Sequence, residues 1–262
     1  MIIAVTAGLL VGDAWMLMPC LRDLCADVGP IKLVCATYDR PVFEWAQKHV
    51  VGCDWEIIHT FANEDRRKDG ASVNESIEDL VPFWGYHTLQ AALRQTTVLF
   101  PNATIYSPAV PIGEAGHIGS YYEEKYRRGD LALNGEWGVS DAIAVQPYTR
   151  HEWKNCGEVI RKVSFQKKSW MVGLPEEAAL GFPFEFVSGG FEAQVKAVVE
   201  CLGFVGLLSS WTNLAVLLRK PQIIVGFETG NPGRVNYDHP GMYWMIDPSA
   251  AELQFAITER GW

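Results

Sequence analysis

Most of the signatures that announce a particular chemistry are missing from this chain. Its 262 residues contain no Cys-x-x-Cys pair, no His-x-x-x-His spacing and no Asp-x-Asp pair, so nothing in the spacing points to a bound metal. There is no Gly-x-Ser-x-Gly elbow, which removes the usual mark of a serine hydrolase. The three-glycine dinucleotide fingerprint and the Walker lysine are missing too. Positive charge is scarce: 22 Lys and Arg stand against 31 Asp and Glu, a net charge of −9. That balance argues against a broad basic face for nucleic acid and leaves room only for a local basic pocket. The apolar N-terminal run, Met1 to Gly12, is shorter than the ~20 residues that span a bilayer. It has neither a basic leading segment nor a small-residue cleavage site, so it does not read as a signal peptide. The expectation is a soluble, cytoplasmic protein with no transmembrane segment.

Apolar residues, by contrast, are plentiful. They make up 48% of the chain, with 10 Trp among them, a composition that excludes disorder. The length suits one large domain or two of about 100–150 residues each. Six cysteines (Cys20, Cys25, Cys35, Cys53, Cys156 and Cys201) are scattered through apolar segments and read as reduced core thiols.

The apolar runs alternate between two periods. Strands are expected at Ile2–Thr6, Ile31–Ala36, Trp55–Ile58 and Ala103–Val110. Between them fall helices at Pro41–His49 and Ser76–Thr97, and one starting near Met18, because Pro19 is tolerated only in a first turn. On that reading Asp13 lies in or just before a loop, where it could act as an N-cap. The pattern repeats in the second half. Strands are expected at Ala142–Gln146, Trp170–Gly173, Phe184–Val187, Phe204–Leu207 and Gln222–Phe227. Helices are expected at Asn155–Val163, Phe191–Cys201, Ser209–Leu218 and Pro248–Thr258. Alternating strands and helices predict an α/β protein with parallel sheets covered on both faces. The glycine-rich stretch from Pro111 to Gly138 interrupts the alternation. It places the expected boundary between an N-terminal domain, 1–135, and a C-terminal domain, 136–262. Two doubly wound, Rossmann-like domains facing across a cleft are the expected architecture, with ligands at the carboxyl ends of the strands.

Four segments could carry chemistry. Thr6 to Asp13 is a glycine-bearing strand-to-helix connection in which Gly12 permits close backbone approach and Asp13 is either a cap or a carboxylate at work. Leu208 to Asn213 opens a helix with Ser209, Ser210 and Thr212, a start that suits an anion such as a diphosphate. The stretch after the Ala142–Gln146 strand carries Thr149, Arg150 and Lys154, and its two cations fit a pyrophosphate leaving group equally well as they fit solvated surface charge. The 111–130 stretch offers Glu114, His117 and Tyr121. His117 has a ring whose ordinary pKa of ~6.5 makes it a second candidate base.

Gly12-Asp13 followed by Met18-Pro19-Cys20-Leu21 resembles the opening of glycosyltransferase family 9, the lipopolysaccharide heptosyltransferases. Val205-Gly206 through Lys220-Pro221-Gln222-Ile223-Ile224-Val225, and then Gly226 to Pro232, are similar to that family's donor-side strand, helix and Lys-Pro-led strand. The resemblance implies a GT-B fold and inverting transfer from a nucleotide-diphospho sugar to a hydroxyl acceptor, without a metal or other cofactor. It implies Asp13 as the general base. Thr149, Arg150, Lys154, Ser209, Ser210, Thr212 and Asn213, together with Gly12, would serve the donor; Glu114 and Tyr121 would serve the acceptor. Leu208 and Asn213 stand where the family usually has an acidic residue and a histidine, so the donor need not be ADP-heptose. A non-catalytic nucleotide or sugar-phosphate binder, or a sugar-nucleotide epimerase of the same fold, is the alternative.

Overall fold

The structure, a computed structural model, describes residues 1–6, 11–61, 92–106, 130–148, 156–226 and 241–262, with the backbone alone for 11–13. The chain divides into two compact units, Met1–Asn134 and Gly135–Trp262.

In the first unit β1 (Ile2–Val5), β2 (Ile31–Ala36), β3 (Trp55–Phe61) and β4 (Thr104–Tyr106) form one sheet in the order β3-β2-β1-β4. Every pairing in it is parallel. The helices are α1 (Val11–Val28), α2 (Arg40–His49) and α3 (92–99). α1 corrects the sequence reading. It runs unbroken through Pro19 rather than starting near Met18, and Asp13 is its third residue rather than a cap ahead of it. Proline inside a helix removes a hydrogen bond and costs ~3 kcal/mol. Here Trp15, Leu17, Met18, Cys20 and Leu21 are all essentially fully buried around it, and that burial outweighs the lost bond. The helix ends at Gly29, whose φ of +80° suits glycine and whose amide returns 2.9 Å to the Cys25 carbonyl.

Aromatic rings set the core of this unit. Trp15 and Trp45 meet edge to face with centroids 5.5 Å apart, and Phe43 and Trp55 do the same at 6.2 Å. The Trp55 indole N–H donates to the Phe43 carbonyl at 3.2 Å, which satisfies its polar atom inside the core.

The second unit has a six-stranded parallel sheet. Its strands are β5 (Ala142–Gln146), β6 (Lys168–Met171), β7 (Glu185–Phe186), β8 (Gly203–Leu207), β9 (Gln222–Gly226) and β10 (Met242–Ile246). They lie in the order β10-β9-β8-β5-β6-β7. The helices are α4 (Gly157–Ile160), α5 (Gly190–Glu200), α6 (Ser210–Leu217) and α7 (Ala250–Glu259), with a 3-10 turn at Pro175–Leu180 after β6. β5 and β8 are buried along their whole length, as expected of central parallel strands covered on both faces. Ile143, Val145, Val205, Ile223, Leu253 and Trp262 belong to one aliphatic-rich core. α7 is well capped: the Ser249 hydroxyl accepts from the Glu252 amide, and the Glu252 carboxylate accepts from the Ser249 amide at 2.8 Å.

The α/β class and the two doubly wound, Rossmann-like units expected from the sequence are what the chain has. β6 begins at Lys168, two residues earlier than expected. β10 was not anticipated at all. All six cysteines are buried free thiols. Among the described residues no helix is long and apolar enough to cross a membrane.

Candidate functional site

Strand order locates the candidate sites. In the second unit the chain steps from β5 to β6 to β7 on one side, then crosses over to place β8, β9 and β10 on the other. The winding reverses between β5 and β8. All strands are parallel, so their carboxyl ends share one edge, and such sheets bind ligands outside that edge at the reversal point. In the first unit the reversal lies between β1 and β4.

β8 ends at Leu207, and α6 starts three residues later at Ser210. Ser209 is its N-cap: its hydroxyl accepts from the Thr212 amide at 3.4 Å, and its carbonyl accepts from the Asn213 amide at 3.1 Å. The Thr212 hydroxyl donates back to the Leu207 carbonyl, which ties the helix start to the strand end. The Ser209 hydroxyl in turn donates to the side-chain carbonyl of Gln146, the last residue of β5. The Gln146 amide nitrogen donates to the Tyr148 carbonyl at 3.4 Å. Both strands that flank the reversal point are thus joined by side chains at their carboxyl ends. The first amides of a helix have no intrahelical acceptor. With Thr212 and Asn213 satisfied by Ser209, the amides of Ser210 and Trp211 have no such acceptor among the described residues.

A buried carboxylate stands beyond β6, the next strand over. Glu177 is 2% exposed, and its carboxylate accepts from the Leu174 amide at 3.1 Å. Burial pushes it up from 4.5 to about 7. Gln194, also buried, clasps the backbone of Gly173: it accepts from the amide at 3.0 Å and donates to the carbonyl at 2.7 Å. The thiols offer no comparable reactivity. Burial pushes Cys35, Cys53 and Cys156 up to about 12 and Cys201 up to about 11, so they stay protonated at neutral pH.

Of the residues read from the sequence as donor-binding, Ser209, Ser210, Thr212 and Asn213 stand together at the start of α6. Gly12 and Asp13 lie in the first turn of α1, the helix that follows β1 at the other reversal point. Thr149, Arg150 and Lys154 follow β5 in the chain but lie outside the described residues, as do Glu114, His117 and Tyr121, which follow β4. Gln146 and Glu177 were not singled out from the sequence. Gln146 had a signal, a polar residue closing the run Ala-Ile-Ala-Val. Glu177 had none, since a carboxylate in a Pro-Glu-Glu turn reads as surface charge. Among the described residues no group of three His, Cys, Asp or Glu is placed to hold a metal ion.

No family model matches the chain, and no curated protein matches it in sequence. Solved structures do resemble it in fold. A glycosyl transferase family 9 protein from Veillonella parvula superposes with a TM-score of 0.63 at 13% identity, covering 98% of this chain and 89% of that one. The E. coli heptosyltransferase WaaC, solved with ADP, gives 0.58 at 11% identity, covering 99% and 98%. The E. coli ADP-heptose LPS heptosyltransferase II gives 0.56 at 14% identity, with the same coverage. The fold is the GT-B-like pair of Rossmann-like units that the sequence predicted.

Proposed function

We propose that this chain is a glycosyltransferase that moves a sugar from a nucleotide-diphospho sugar to a hydroxyl acceptor with inversion, without a metal. The observation that carries the reading is the edge at the β5/β8 reversal point, where Ser209 is anchored by Gln146 and the helix opens with the Ser210 hydroxyl and two amides that have no partner among the described residues. That is an anion site of the kind a diphosphate occupies. The fold likeness to heptosyltransferases, one of them solved with ADP, supports the same assignment.

In this reaction Asp13 takes the acceptor hydroxyl proton. The oxygen attacks the anomeric carbon from the face opposite the diphosphate, the carbon–oxygen bond to the diphosphate breaks, and its electron pair leaves with the nucleotide. Arg150, Lys154 and the α6 amides meet the charge that develops there. Thr149 serves the donor, while Thr212, expected to do so, is fully buried and instead braces the helix start through the Leu207 carbonyl; Glu114 and Tyr121 hold the acceptor, and His117 is the substitute base. The buried free thiols fit a reducing compartment, and the cytoplasm is the proposed place of action.

A second reading, a nucleotide binder without chemistry, is favoured by Leu208 and Asn213 at positions where the resembled family carries an acid and a histidine. One experiment separates them. Nucleoside diphosphates are screened by melting shift, because a ligand at about 100 times its Kd stabilises by ~2.7 kcal/mol. The sugar nucleotide of the best base is then incubated with the protein, with and without simple glycoside acceptors. Release of the diphosphate supports transfer; tight binding with no release supports the second reading.

A further inference from the structure

We infer that Gln146 is a positioning residue of the donor site, holding the start of α6 in place for a diphosphate by anchoring Ser209. This rests on the site assigned above. Gln146 is only 6% exposed, at the end of a strand whose other four residues are apolar. Ile143 and Val145 point into the aliphatic core; by alternation Ala144 and Gln146 take the opposite face. A buried amide there is costly unless both of its polar ends are bonded. Both are: the carbonyl oxygen takes the Ser209 proton, and the nitrogen reaches the Tyr148 carbonyl.

Room for this comes from the neighbouring strand. Gly206 is the register partner of Gln146 across β5 and β8. A Cβ on Gly206 would stand 2.7 Å from the backbone carbonyl oxygen of Gln146 and 3.1 Å from its Cβ. Its absence lets the two strand ends close up and bring Gln146 to Ser209.

The consequence is a division of labour at the helix start. The Ser209 hydroxyl donates to Gln146 and accepts from Thr212, so both of its roles are used within the protein. The ligand is left to the Ser210 hydroxyl and to the amides of Ser210 and Trp211, whose direction follows the Ser209 cap. The same glutamine bonds the Tyr148 carbonyl, so its amide is satisfied at both ends. One side chain therefore keeps the helix start in place without touching the phosphate.

The test is a double-mutant cycle in binding, with ADP and inorganic pyrophosphate as probes and calorimetric titration as the readout. Gln146→Met keeps the volume and loses both bonds; Ser209→Ala removes the hydroxyl. Each is expected to weaken both probes about tenfold, the scale of a lost hydrogen bond, and the double variant to be no weaker than either single one. A roughly hundredfold loss in the double variant would show independent action and overturn the inference, as would undiminished binding by Gln146→Met. Should Gln146→Met not fold, Gln146→Glu keeps the volume and the acceptor for Ser209 but adds a charge beside the anion. Its pyrophosphate affinity is expected to fall at pH 8 and recover towards pH 5; an affinity matching the unsubstituted protein at both values overturns the inference. If the unsubstituted protein binds neither ADP nor pyrophosphate, the site assignment itself fails, and this inference with it.

Discussion

The two units share a winding scheme and differ in what stands at their reversal points. In the first, β1 leads into a helix whose first turn carries a carboxylate, Asp13. In the second, β8 leads into a helix opened by two serines and a threonine, bridged by an amide to the neighbouring strand. A carboxylate repels an anion and accepts a proton; hydroxyls and free amides do the reverse. The same topology therefore carries a carboxylate at one edge and hydroxyls with amides at the other, the two kinds of group that the proposed transfer calls for. The cores differ as well. Tryptophan-centred edge-to-face pairs anchor the first unit, whereas in the second an aliphatic cluster with Trp262 packs against the edge-to-face pair Phe165–Phe184.

Asp13 bears most of the weight in this comparison. Asp13→Asn keeps size and polarity and loses proton acceptance, so turnover should fall about 10²–10⁴-fold, the usual contribution of a general base. Because Asp13 lies inside the first turn rather than at the cap, the melting temperature should barely move. Steady-state rates and a melting curve check both. Unchanged turnover would shift the base to His117 or favour the binding-only reading.

The contrast in cores comes next. Trp15→Ala removes a fully buried ring and should cost ~3–5 kcal/mol. Gly203→Ala puts a Cβ 2.3 Å from the Trp262 ring and should cost ~1–3 kcal/mol through overpacking. Hydrogen exchange resolves where each cost falls. Trp15→Ala should lower amide protection in β1, β2 and β3, and Gly203→Ala in β5, β8 and β9.

On the anion side, Arg150→Ala and Lys154→Ala should each weaken nucleoside-diphosphate binding by ~1–3 kcal/mol, the range of charge-assisted hydrogen bonds. Neither should change melting in the absence of nucleotide. Full affinity in both variants would leave the α6 amides as the whole of the anion site.

Much of this layout could be read from the sequence, for a physical reason. Central parallel strands are continuous apolar runs, so β1, β2, β5, β8 and β9 are visible as such. What escaped reading depends on partners distant in the chain. Pro19 sits inside α1 because its neighbours are buried by other elements, which local propensity does not register. β6 starts at Lys168 because that residue pairs in register with Ala142 of β5, a backbone pairing that an apolar-run criterion passes over. β10, Met-Tyr-Trp-Met-Ile, has only one β-branched residue and is partly exposed along its length. In the site, the Ser209 helix start was legible from its own residues. Gln146 is marked only by its polarity at the end of an apolar run, since its role exists only once β5 and β8 are side by side.

Glu177 tests the same unit through pH. Its carboxyl titrates at about 7 when folded against the ordinary 4.5. Folding therefore takes up a proton between those values. The stability this contributes is complete below pH 4.5 and declines as pH rises through 7. Glu177→Gln keeps an acceptor for the Leu174 amide and abolishes the titration, so its melting temperature should be flatter across that window. A slope equal to that of the unsubstituted protein would assign the pH dependence to other groups.

Stability separates the two adjacent serines, and here the expected effect is smallest. Ser209 caps α6, so Ser209→Ala should cost ~1 kcal/mol, the usual value for a lost cap. Ser210 is the first residue inside the helix and bonds no other element through its hydroxyl in the cap described above, so Ser210→Ala should stay within about 0.5 kcal/mol. Both should weaken ADP binding, Ser209→Ala by releasing the cap and Ser210→Ala by removing a hydroxyl beside the phosphate. Chemical denaturation and an ADP titration of the pair distinguish the routes. A Ser210→Ala that loses stability, or a Ser209→Ala that loses none, would exchange the roles of the two hydroxyls and place Ser209 against the ligand instead.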